Sequence, residues 1–216
     1  MKKFPISIFT LLLFSFIATS TSYANETLDV KDLSTGKVKV TVTNNETGET
    51  KVLDSIKPTK YLEKTNLLRT LGNESVIEGY EIFIPMETGE INITPFDSSG
   101  GTRTGGGITA ALYVDYSLRS ANQEIRLNKL WGSWTPSSNL YYLTDREASA
   151  HSGAVWGNSI YKYPTSNTFS YNTGFVDYNY FVLGGDGAPR AWSSAISRLS
   201  GMIATYTITV EFTYPD

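Results

Sequence analysis

Cysteine is absent from this sequence, and histidine occurs once, as His151. Without cysteine there is no disulfide, no thiolate nucleophile and no sulfur-ligated metal or redox centre. Any imidazole base, catalytic triad or zinc site would have to use His151. A structural zinc site needs four ligands, usually cysteine or histidine, so no metal is expected. No cofactor is expected either. Gly184-Gly185-Asp186-Gly187 lacks the lysine of a phosphate loop and the spacing of a dinucleotide fingerprint. It reads as a turn, because Asp-Gly is a strong turn signal.

Positive charge is also scarce. The 18 Lys and Arg residues stand against 21 Asp and Glu, a formal net charge of −3. They form no basic stripe, so nucleic acid is not an expected partner. Long apolar runs are missing except at the start. There Lys2 and Lys3 precede an apolar stretch over residues 6–17, and Ser22-Tyr23-Ala24 follows as a small-x-small site. That order reads as a secretory signal peptide over residues 1–24, cleaved near Ala24. The apolar stretch is well short of the roughly 20 residues a spanning helix needs. No transmembrane segment is therefore expected, and the mature protein is expected outside the cell. A secreted chain of this size without disulfides must be held by burial alone.

What is present favours strands. The chain holds 14 Tyr, 10 Phe and 4 Trp, and is rich in Thr, Val and Ile, which suit pleated, half-buried surfaces. Residues 97–107, Ser/Thr/Gly-rich throughout, read as a linker between an N-terminal segment (25–96) and a main domain (108–216). In the N-terminal segment Val38, Val40 and Val42 alternate with Lys37, Lys39 and Thr41. A turn at Asn44-Asn45-Glu46-Thr47-Gly48 and a second strand from Thr50 would complete a hairpin. Tyr61, Leu62, Leu67, Leu68 and Leu71 have near-helical spacing, predicting a short helix over 60–71.

The main domain alternates more regularly. Ile108, Ala110, Leu112, Val114, Tyr116 and Leu118 share one face, opposite Thr109, Ala111, Tyr113, Asp115 and Ser117. Near the end Tyr206, Ile208, Val210, Phe212 and Tyr214 repeat the pattern against a threonine face. Further strand-like runs fall at 124–130, 140–144, 154–163 and 175–183; residues 189–200 fit helix, strand or loop. The expectation is an all-β antiparallel sandwich, jelly-roll or immunoglobulin-like, behind a small mixed β/α segment.

Two sets of side chains are candidates for function. Sugars offer apolar C–H faces to flat rings and hydroxyls to polar rims. Trp131, Trp134, Trp156, Tyr141 and Tyr142 are accordingly the expected ligand-binding set, with an extracellular or cell-wall glycan as partner. Trp131 and Trp134 bracket Gly-Ser and do not both fit into one core, which predicts one of them at the surface. The second set is Asp145, Glu147, His151 and Ser152. In a strand Asp145 and Glu147 would face one side, as a glycosidase carboxylate pair requires. A solvated turn explains the same residues. No catalytic fingerprint occurs, so a non-enzymatic glycan binder is the first expectation. A polysaccharide hydrolase using Asp145 and Glu147 is the second. A toxin-like or self-assembling protein, pairing through its threonine-rich last strand, is the third.

Overall fold

A computed structural model describes residues 36–56, 60–63, 74–86, 94–95, 106–119, 123–153, 157–180 and 187–214. The proposed leader, Trp156 and all of the Gly-rich run except Gly106 and Gly107 lie outside them.

The protein is an all-β sandwich of two antiparallel sheets. The strands in chain order are β1 (Lys37–Asn44), β2 (Thr50–Ile56), β3 (Lys60–Glu63), β4 (Glu74–Pro85), β5 (Thr94–Pro95), β6 (Gly107–Arg119), β7 (Glu124–Pro136), β8 (Tyr141–His151), β9 (Ser159–Lys162), β10 (Thr168–Asn172), β11 (Asn179–Tyr180), β12 (Arg190–Leu199) and β13 (Thr205–Thr213). One sheet runs β2-β1-β13-β12-β8-β9 and the other β10-β7-β6-β4-β3, with β11 added to β7 and β5 to β4.

Period-two alternation builds both inner faces. From β6 come Ile108, Ala110, Leu112, Val114, Tyr116 and Leu118, all 1% exposed or less; from β13 come Ile208, Val210 and Phe212. Val38, Val40 and Val42 of β1 join them. The β1–β2 turn forms as its residue types require. The Asn44 side-chain oxygen accepts from the Glu46 and Thr47 amides, and Gly48 takes a positive φ of 73° at low steric cost.

Strands from both sides of the Gly-rich run are interleaved. β1 lies against β13, and β4 pairs with β6 along its whole length, from Glu74↔Leu118 to Pro85↔Gly107. Residues Leu33–Asp216 make one compact unit. The run at 97–107 divides the sequence, not the sheets.

Several local expectations change. Residues 60–63, expected in a helix, are strand β3 on β4; residues 64–73 lie outside the described set. Ladder bonds to the next strand here override helical spacing. The ambiguous stretch at 189–200 is strand β12, paired on both sides, with β13 and β8. Of the run at 175–183, only Asn179 and Tyr180 pair, while 181–186 are outside the described residues. The threonine-rich β13 is not an edge. β1 and β12 occupy both its ladders, so it has none free for self-assembly.

Candidate functional site

Trp131 stands on the outer face of the seven-stranded sheet. Across the ladder it faces Tyr113 of β6, and the two rings stack with centroids 5.5 Å apart and planes 8° from parallel. The Lys129 ammonium lies 5.3 Å from the Trp131 ring centroid. Around the pair the register places small residues. Gly79 of β4 is opposite Tyr113, Ser170 of β10 is opposite Trp131, and Ala111 faces Ser133 one step along. Among the described residues, the ladder partners flanking the half-buried pair are therefore small.

Polar groups frame this ridge. The Tyr113 hydroxyl donates to Glu81 Oε1 at 2.8 Å. Burial and the neighbouring Glu81 carboxylate push the Tyr113 phenol up to about 12, so it remains a donor at neutral pH. On the other side the Asn128 amide donates to Asp115 Oδ1 at 3.0 Å and to Ser117 Oγ at 2.8 Å. Arg126 Nε closes the network on Asn128 Oδ1 at 3.0 Å. Asn128 sits where the β6–β7 register slips by a residue, between Asp115↔Lys129 and Tyr116↔Leu127. A bulge of this kind re-aims side chains, here bringing an amide to a buried carboxylate. Tyr178 lies beneath both Arg119 and Arg126, 4.3 Å and 4.7 Å from their guanidinium carbons.

The remaining expected binding residues do not gather here. Trp134 is a core side chain, 2% exposed, and its Nε1 donates to Ser193 Oγ at 3.1 Å. Ala148, Ala150, Ala191 and Ala195 keep the facing inner surface of β8 and β12 small, which gives the indole room. Tyr141 is also buried, at 5% exposure. Both are corrections to the expected surface set, and the cause is parity: each falls on the inward phase of its strand. Tyr142 is exposed but belongs to the six-stranded sheet, opposite Arg198. Trp156 lies outside the described residues.

The carboxylate pair is also corrected. β8 carries a bulge against β12, so Thr144 faces Ile196 and Glu147 faces Ser194, leaving Asp145 and Arg146 opposite Ala195. Asp145 has a φ of 46°, which interrupts the alternation that would align it with Glu147. Asp145 Oδ2 accepts from Thr144 Oγ1, whereas Glu147 Oε1 accepts from Trp192 Nε1 at 2.9 Å and Ser149 Oγ at 2.7 Å. His151 Nδ1 accepts from the Gly153 amide at 3.1 Å. Among the described residues no group of three or more His, Asp or Glu is placed to hold a metal, and no helix is long and apolar enough to cross a membrane.

Comparison with protein-family models, with curated proteins and with solved structures finds no match to this chain. Tyr113 and Trp192, which both have an aromatic partner on an outer face, were not in the expected set. Tyr113 had a signal available, since it lies on the polar phase of β6.

Proposed function

We propose that this is a secreted, non-enzymatic protein that binds an extracellular or cell-wall glycan on the outer face of its seven-stranded sheet. The observation that carries the reading is the stacked Trp131–Tyr113 pair, half-buried on the outer face of that sheet among small residues and hydrogen-bonding groups. A pyranose ring offers C–H bonds to such a surface, and its hydroxyls suit partners such as the half-buried Glu81 carboxylate and Asn128 amide. Stacking fixes both rings before the ligand arrives, which lowers the ordering cost of binding. Secretion rests on the leader pattern of residues 1–24, and N-terminal sequencing of the exported protein should begin at Asn25.

Purified cell walls and a panel of soluble polysaccharides provide the binding test. Trp131→Ala and Tyr113→Ala should each weaken binding by about 2 kcal/mol, roughly thirtyfold, while the protein stays folded. Trp134→Ala is the contrast. It should cost about 3–5 kcal/mol of stability and leave binding per folded molecule unchanged. Full wall affinity in the Trp131 and Tyr113 variants would remove the site.

A further inference from the structure

The outer face of the six-stranded sheet carries a second arrangement of the same kind. The strand registers align its outward side chains in rows. One row crosses the sheet as Lys39, Glu211, Trp192, Ser149 and Tyr161, from β1 to β9. The next runs Thr41, Thr209, Ser194 and Glu147, and the one after it Thr43, Thr207, Ile196 and Thr144. Trp192 and Tyr161 form a corner, their ring centroids 6.0 Å apart and planes 70° from parallel. The Glu147 carboxylate is fixed beside them by Trp192 Nε1 and Ser149 Oγ. Tyr161 is 57% exposed, a large aromatic surface left in water.

Charges of both signs surround the corner, and no single sign dominates the side chains nearest it. Lys39 lies opposite Glu211, and the Arg190 guanidinium carbon is 5.6 Å from the Trp192 ring centroid, on the same sheet as Glu147. An aromatic corner holding a fixed carboxylate, beside rows of hydroxyl side chains, matches a polyhydroxylated chain better than an apolar ligand.

We infer that this corner, Trp192 and Tyr161 with Glu147, is a second saccharide-binding site, so that one molecule bridges two glycan chains through opposite outer faces of the sandwich. The inference rests on the glycan reading above and adds to it a second site and a consequence, cross-bridging. The two sites lie on different sheets, with the core between them, so one short oligosaccharide does not span both.

The experiment uses the secreted protein, checked as a monomer by light scattering so that bridging does not arise from oligomers. Purified cell walls are loaded with protein, washed, and offered fluorescein-labelled soluble fragments of the same wall glycan. Wild-type protein should retain label. Tyr161→Ala, which removes an exposed ring and leaves the core intact, should keep wall binding through Trp131 and lose most of the retained label, about tenfold. Glu147→Gln, a near-isosteric change, should lower retention in the same direction. Trp131→Ala should also lose bridging, because either site alone cannot bridge. Label retention at the wild-type level in both Tyr161→Ala and Glu147→Gln overturns the second site while the first still stands. Wild-type protein that binds walls but retains no label does the same. Wild-type protein that binds no wall glycan removes the glycan reading and this inference together.

Discussion

Glu78 points inward from β4, between Val76 and Tyr80, and is fully buried. Its carboxylate accepts from the Tyr80 hydroxyl, from the Tyr116 hydroxyl at 2.6 Å, and from the Gly36 amide, 3.2 Å from each oxygen. Glu78 thus ties the approach to β1, in one sheet, to β4 in the other. Gly36 suits this post because a Cβ there would lie 1.9 Å from Phe212. Burial raises the Glu78 pKa above 4.5, and the hydrogen bonds from Tyr116, Tyr80 and Gly36 offset only part of that rise. The Tyr116 hydroxyl beside it is raised well above 10, chiefly by burial, so it stays a donor. The sign follows from the folded state holding the Glu78 proton more tightly than the unfolded chain does. Above the raised pKa, the buried charge costs stability. As pH falls through that value toward 4.5, this cost is relieved. Urea unfolding at a series of pH values should show Glu78→Gln lacking this component, with wild type gaining stability relative to the variant as pH falls. Parallel pH profiles for the two proteins would show that Glu78 does not titrate differently on folding.

β13 is the central element of the six-stranded sheet. Ile208, Val210 and Phe212 face the core, and Thr207, Thr209 and Glu211 face outward and are half-buried. Ile208→Ala should cost about 2–5 kcal/mol, because it empties a fully buried site. Thr209→Ala should stay within about 1 kcal/mol, having no core contact to lose. Chemical denaturation measures both, and equal losses would mean that the outer face is covered. The alternation of β1, β6 and β13 was legible in the sequence because in each the large apolar residues keep to one phase and the other phase is mostly polar. β12 was not. Its inner residues are Ala191, Ser193, Ala195 and Ser197, too small and polar to announce a core, yet all are buried, with Trp134 of the other sheet bonded to Ser193 among them. The bulge that parts Asp145 from Glu147 was equally hidden, since it exists only as a mismatch between β8 and β12.

At the scale of the molecule, the sandwich closes by pairing strands distant in sequence. β1 pairs with β13, and β4 and β6 carry the 97–107 run between them. This arrangement makes a sharp prediction. A protease site introduced between Gly101 and Thr102 and then cut should yield two fragments that co-elute in native buffer and separate only in denaturant. Each fragment alone lacks part of both sheets and should not fold. Fragments that separate on cleavage in native buffer, each keeping its own structure, would instead establish two independent domains.

Without any structure, the sequence determined the class of this protein. Its lack of cysteine, its period-two patterning and its turn residues leave an antiparallel sandwich held by apolar burial. That information is local: a strand's inner and outer phase is written in neighbouring residues. Only the tertiary structure decided which aromatic rings face water. Trp131 and Trp134 are three residues apart and alike in composition, yet one stacks on Tyr113 outside and the other bonds Ser193 inside. Which phase of β7 meets the core depends on its register with β6 and on the sheet packed against it, and both partners are remote in the chain.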